Sequence, residues 1–151
     1  MKLTKKGEYA LRALLRLSAN YPQKSLSLRE ISERERLPVK FLEQIMMVLK
    51  RSGLVESTKG KQGGYTLARR PEEITLGEII RVIEGPIAPF GTALEIEKRI
   101  QKKDPHAGLF ACLLEVRNAI AEIVDKKTLA DICEKSRELC HSENSHPMYY
   151  I

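Results

Sequence analysis

The chain has 151 residues, of which 42% are hydrophobic and 30% charged, with three cysteines and a formal net charge of +6. That is globular composition over a length that holds one domain with a core, or a small domain plus a dimerisation appendage, and it excludes a disordered chain. No apolar run approaches a membrane span, and Leu11, Leu14, Leu15 and Leu17 are interrupted by Arg12 and Arg16. The sequence therefore predicts a soluble, cytoplasmic protein with no signal peptide and no membrane contact.

The charge is unevenly spread. Residues 1–70 carry 16 Lys and Arg against 6 Asp and Glu, whereas residues 71–151 carry 10 against 14. A basic first half beside an acidic second half predicts a polyanion-binding module joined to a part with another task.

In chain order, Thr4 can cap a first helix reaching about Asn20, with Tyr9, Ala10, Ala13, Leu14 and Leu17 at helical spacing. Ser27-Leu28-Arg29-Glu30 is a capping box that opens a short second helix. Leu37-Pro38 breaks it, because proline disfavours a helical residue before it yet suits the first turn of the next helix. A third helix is predicted over Pro38–Ser52. Phe41, Leu42, Ile45, Val48 and Leu49 form its buried stripe, leaving Val39, Lys40, Glu43, Gln44 and Lys50 outward. Leu54 to Thr58 and Tyr65 to Ala68 are β-prone runs joined by Lys59-Gly60-Lys61-Gln62-Gly63-Gly64, which predicts a hairpin. Thr75-Leu76-Gly77-Glu78 is a second capping box, opening a helix that ends near Gly85-Pro86.

Residues 85–93 form a connector, followed by a short helical piece from Leu94 to Lys103. The longest periodic segment comes next, about Ala107–Asp125. Leu109, Leu113, Val116, Ile120 and Ile123 step 4-3-4-3, a spacing that asks for a partner helix. Thr128 can cap a last helix to about Cys140. The expected division is a DNA-binding domain over 1–84, a connector over 85–106, dimerisation helices over 107–141 and a tail over 142–151.

Residues 27–68 hold the constellation with functional content. A recognition helix needs polar side chains near the end that enters the major groove, and Lys40, Glu43 and Gln44, with Val39, stand there. Gln can bond adenine, Glu can accept from cytosine, and Lys can reach guanine or phosphate. A wing needs flexible backbone and positive charge, which Lys59, Lys61 and Gln62 supply on the glycine-rich hairpin. Thr4, Lys5, Ser27 and Arg29, at helix starts, are candidates for phosphate contacts. The expected fold is thus mainly α, a winged helix-turn-helix with a small β-hairpin wing and a long dimerisation helix. Its expected partner is double-stranded DNA. No nucleophile–base pair, phosphate loop or metal triad is discernible, so no enzymatic activity is expected.

Several strings carry a family likeness. Met1-Lys2-Leu3-Thr4, Gly7-Glu8-Tyr9-Ala10-Leu11, Ile31-Ser32-Glu33-Arg34, Phe41-Leu42-Glu43-Gln44, Ser52-Gly53-Leu54-Val55 and Gly63-Gly64-Tyr65-Thr66-Leu67 resemble the Rrf-two family of bacterial transcription regulators. So do Ile74-Thr75-Leu76-Gly77-Glu78-Ile79-Ile80, Glu84-Gly85-Pro86 and Thr128-Leu129-Ala130-Asp131-Ile132. The resemblance implies a homodimeric winged-helix repressor, paired through the long helix, with Lys40, Glu43, Gln44 and Lys59 as DNA-reading positions.

Cluster-binding members of that family carry three cysteines in the loop before the long helix. Here the loop from Glu84 to Leu109 has none. Cys112 resembles the third, Glu115 stands where one branch has a histidine ligand, and Glu8 matches an acidic ligand drawn from the partner subunit. Clusters favour thiolate ligands. One cysteine with Glu8 and His106 is a poor set, so no cofactor is expected, with an iron–sulfur cluster as the alternative. Cys133 and Cys140 lie two helical turns apart, about 10.5 Å along the axis, too far for a disulfide. Without metal-ligand spacing to His141 and His146 they are expected as buried core thiols.

The chain ends in Met148-Tyr149-Tyr150-Ile151, apolar groups where tails are normally polar. A terminal carboxylate beside Tyr suits capture in another protein's pocket. This ending, and the cysteine-free Gly85-Pro86-Ile87-Ala88-Pro89 loop, resemble the subgroup of the family that governs cysteine metabolism. That likeness implies cysteine synthase as a partner of Tyr150 and Ile151 alone, with Tyr149 beside them in the apolar tail as a further candidate for the same contact. The expectation is a sequence-specific dimeric repressor of sulfur or cysteine metabolism, controlled by a partner enzyme through its tail. Two alternatives stand beside it. One is an iron–sulfur, metal or redox sensor using Cys112 and Glu8; the other is an interaction protein that binds cysteine synthase through its terminal isoleucine.

Overall fold

The computed structural model describes residues 3–87, 90–102 and 104–143. Helix α1 (Lys5–Ser18) opens where the Thr4 hydroxyl accepts from the Gly7 amide, and it buries Ala10, Ala13, Leu14 and Leu17. Helix α2 (Leu28–Glu35) starts at the full Ser27–Glu30 capping box. It stops at Arg36, which takes the left-handed conformation at φ 53°. Helix α3 (Val39–Arg51) lies between Pro38 and Ser52, so the predicted span comprises the helix plus its two caps. Its fully buried side chains are Leu42, Ile45, Met46 and Leu49. Phe41 and Val48, expected in that stripe, are half-buried, and Phe41 meets Tyr9 edge-on with ring centres 5.6 Å apart.

Strands β1 (Val55–Thr58) and β2 (Gly64–Leu67) pair antiparallel, with Val55 opposite Leu67 and Thr58 opposite Gly64. A 3-10 turn (Pro71–Glu73) leads to α4 (Leu76–Glu84). Only half of the second capping box forms. Thr75 accepts from the Glu78 amide, but the Glu78 carboxylate pairs with Arg69 instead of turning back. The partner on the Thr75 side is another segment: the Leu76 amide donates to the Lys127 carbonyl, and Thr75 bridges Thr128.

Helix α5 (Ala93–Gln101) begins at a capping box between Thr92 and Glu95. Ala88 and Pro89 of the connector lie outside the described residues. Helix α6 (Ala107–Lys126) packs against α5 and α4. Ile96 is buried there, Arg99 lies 4.0 Å over the Phe110 ring, and Arg81 grips both Asp125 oxygens at 2.5 and 2.9 Å. Helix α7 (Leu129–Glu143) turns back onto α1 and the 3-10 turn. Leu129 is fully buried in the same core as Leu14, Ile45 and Ile74, so α6 and α7 make different contacts. No helix among the described residues is long and apolar enough to cross a membrane.

The expectation of two core thiols needs correction. Cys133 is half-buried and donates toward the Ser18 hydroxyl at 3.5 Å, whereas Cys140 is exposed. The face of α7 that rests on α1 ends before Cys140.

Candidate nucleic-acid interface

The geometry of α3 is set by the turn before it. The Leu37 amide donates to the Ser32 carbonyl at 2.9 Å, and the buried Ser32 hydroxyl donates to the Leu37 carbonyl. These two bonds tie the start of the next helix back to the body of α2 and so constrain how α3 leaves the turn. Four fully buried side chains then clamp one face of the helix to the core. The opposite face presents Lys40, Glu43, Gln44 and Met47, at the i, i+3, i+4, i+7 spacing of a single row, all exposed.

Among the described residues, Lys40, Glu43 and Gln44 make no ion pair or side-chain hydrogen bond. Val39 starts the same face and is 47% exposed, as is Met47. Met47 was absent from the sequence-based set, although its position one helical turn beyond Glu43 and Gln44 signalled it. An exposed methionine beside Gln44 offers the apolar surface that a thymine methyl contacts.

The wing is anchored from both sides. Lys50 on α3 hydrogen-bonds Ser57 on β1. Leu26 exchanges two backbone hydrogen bonds with Tyr65, at 2.9 and 2.7 Å, adding a single-residue bridge to the hairpin. Gly64 permits that approach, since a Cβ there would lie 2.6 Å from the Leu26 carbonyl. At the tip, the Ser25 hydroxyl donates to the Gln62 carbonyl at 2.8 Å. The backbone of the wing is thus held, while the Lys59, Lys61 and Gln62 side chains are exposed and unpaired among the described residues.

The helix-start candidates divide. The Thr4 amide and hydroxyl both donate to Glu84 Oε1, at 3.0 and 2.7 Å, while the hydroxyl accepts from Gly7. A carboxylate therefore already occupies the N-terminus of α1, and Gly7 leaves room for it: a Cβ at Gly7 would sit 2.1 Å from that oxygen. Ser27 is engaged in its own box. Lys5 and Arg29 keep exposed charges, each loosely tied to a neighbour on its own helix, Glu8 at 3.3 Å and Glu33 at 2.8 Å.

The Ser27–Glu30 box carries a pH signature. A hydrogen bond from Lys24, then those from Ser27, hold the Glu30 carboxyl at about 2, below its ordinary 4.5. A depressed carboxyl stabilises the fold in full above its ordinary value and loses that contribution as pH falls through the folded value. Glu30→Gln is therefore expected to lower the melting temperature at neutral pH. Its deficit against the unsubstituted protein should narrow as pH falls from about 4.5 to 2, a trend that thermal melts across that range would check.

Along α6, Leu109, Val116 and Ile123 are 55%, 48% and 63% exposed, and Leu113 and Ile120 are half-buried. The row faces away from α5 and α4. Cys112 is exposed on the same helix, and Glu8 is occupied by Lys5 and Arg12. Among the described residues no three His, Cys, Asp or Glu side chains stand close enough to share a metal ion.

A helix-turn-helix with an unpaired polar row, flanked by a braced basic hairpin, defines a winged helix-turn-helix regulator of transcription. The chain belongs to the Rrf2 family: the family profile, described as Iron-dependent Transcriptional regulator, matches residues 3–135. It is 34% identical to the HTH-type transcriptional regulator CymR of Bacillus subtilis (strain 168) over 151 residues, covering 100% of both chains. Among solved structures it is similar to that of CymR (YrzC), the global cysteine regulator of B. subtilis. The TM-score is 0.72 at 35% identity, over 89% of this chain and 98% of that one. The structure of T. potens IscR matches with a TM-score of 0.69 at 33% identity, over 99% of this chain and 97% of that one.

Proposed function

We propose that this regulator is a homodimeric repressor of sulfur or cysteine metabolism, and that α3 reads base edges while the wing holds phosphate. The observation that carries the DNA-reading part is the exposed, unpaired row of Lys40, Glu43 and Gln44. In this account Gln44, Glu43 and Val39 discriminate bases. Lys40, Lys59, Lys61 and Gln62 contact phosphate or guanine, and Lys5 and Arg29 add orienting charge. Thr4 and Ser27 act as caps that position those charges. Each wing lysine that neutralises one phosphate releases counterions, worth about 0.9 in the slope of log affinity against log salt. Lys59→Ala and Lys61→Ala together remove four such contacts from a dimer with two wings, so they are expected to flatten that slope by about 3.6 and to weaken binding to all sequences alike. Fluorescence anisotropy across a salt series reads both; an unchanged slope would remove the wing from the interface.

The cysteine assignment is supported by similarity along the full chain to a named cysteine regulator. Its signal is assigned to a partner enzyme, cysteine synthase, captured through Tyr149, Tyr150 and Ile151, which lie outside the described residues. Deleting residues 149–151 is expected to abolish co-elution with cysteine synthase while leaving operator affinity unchanged. Undiminished enzyme binding by the truncated chain would contradict the tail's role.

The family description names iron, for which the chain would have to supply the donors. The loop over 85–106 contains no cysteine, and Cys112, Cys133 and Cys140 sit on two helices with no third donor beside any of them among the described residues. Iron–sulfur clusters are held by several thiolates. This set does not fit one.

A further inference from the structure

An open cavity of about 890 Å³ lies between α1, the end of α2, the 3-10 turn and α7. Its walls carry four arginines, Arg12, Arg16, Arg70 and Arg137, against two carboxylates, Glu35 and Glu72. Glu35 is consumed by a clamp: Arg16 Nε lies 2.6 Å and Arg12 Nε 3.4 Å from its oxygens, and Arg12 also donates to the Glu35 carbonyl. Arg70 pairs with Glu73 at 3.1 Å. Arg137, on α7, has no ion pair or side-chain hydrogen bond among the described residues. Among the described residues of the lining, Arg137 is thus the arginine, and Glu72 the carboxylate, that no ion pair engages.

The rest of the cavity is mixed in character. Leu15, Ala19 and Ala130 give an apolar floor, and the Ser18 hydroxyl and Cys133 thiol lie together on it. Ligand sites combine such an apolar lining with a few placed polar groups, and a guanidinium fork is the side chain best shaped for a carboxylate or phosphate. We propose that this cavity binds a small organic anion, with its carboxylate or phosphate head at Arg137 and its apolar body on Leu15 and Ala19. The site is separate from the DNA-reading row. One of its walls, Glu35, is the last residue of α2, immediately before the turn that sets α3.

The probe is 8-anilinonaphthalene-1-sulfonate, an anion with an apolar body, titrated by fluorescence into the full-length protein. Saturable, blue-shifted binding at one site per chain is expected. Arg137→Gln should weaken it about ten-fold, the loss of one charge-assisted hydrogen bond. Ser136→Trp, which puts a bulky ring into the cavity from an exposed position on α7, should abolish it without changing the melting temperature. Lys59→Ala, in the wing, should leave it unchanged. Citrate or inorganic phosphate should displace the dye, and the more effective of the two names the head group. Dye binding that resists both anions, that is indifferent to R137Q and S136W, or that is lost in the wing variant would overturn the assignment.

Discussion

Aspartate at both Val116 and Ile123 is expected to turn a dimer into monomers and to lower operator affinity by about 10²–10⁴-fold, the advantage that joining two half-site readers confers. These residues are 48% and 63% exposed and stand seven apart with Leu109 on one face of α6. Burying each in a partner helix is worth about 1.5–3 kcal/mol. In a two-fold interface every substitution is met twice, so four uncompensated carboxylates would enter an apolar seam. The protomer should survive, because α6 is held on its other side by Ile96, by Arg99 over Phe110 and by the Arg81–Asp125 pair. Sedimentation velocity, anisotropy with operator DNA and a thermal melt separate these effects. A variant that stays dimeric at micromolar concentration would move the interface elsewhere.

Gln44→Ala is expected to erase base preference at one position of each half-site while leaving non-specific binding intact. A well-formed side-chain contact to a base edge discriminates by about 1–3 kcal/mol, so preference at that position should fall by about five-fold to 150-fold. Glu43→Ala should act at a neighbouring position and, by removing a negative charge, tighten non-specific binding slightly. Neither change touches the core, since both side chains are exposed on a helix whose buried face is Leu42, Ile45, Met46 and Leu49. Binding-site selection with each variant reads the effect. Selected sites identical to those of the unsubstituted protein would take α3 out of the major groove.

Features carried by short-range chemistry were legible in the sequence. Ser27 and Glu30 form their box because both partners lie within one turn, and the polar row of α3 follows from helical period alone. What depended on distant neighbours was not legible. The Thr75 box formed only halfway because Arg69 drew off the Glu78 carboxylate, while the bonds to the chain near Thr128 run from Leu76 and to Ile74. Leu26 joined the hairpin as a one-residue bridge, which leaves no alternation to detect. Met46 is fully buried while Phe41 and Val48 are half-buried, because which flank of an apolar stripe is covered depends on the elements packed against it. Gly64 had suggested wing flexibility; its missing side chain instead makes room for Leu26. Thr4 had suggested a phosphate contact, and only the fold revealed Glu84 beside it, 80 residues away in sequence. The return of α7 onto α1, which exposes Cys140 and half-buries Cys133, likewise has no local signal.

The central claim is that two copies of α3 enter successive major grooves of one duplex. Its most direct test is selection of genomic DNA by the purified protein, followed by methylation interference on the recovered site. A near-palindrome is expected, its half-site centres about one helical turn, 10–10.5 base pairs, or a multiple of it apart. Interference at guanine N7 is also expected within each half-site, lost at one position in Lys40→Ala. Recovery of no sequence above non-specific background, or of a site without interference in the major groove, would contradict it.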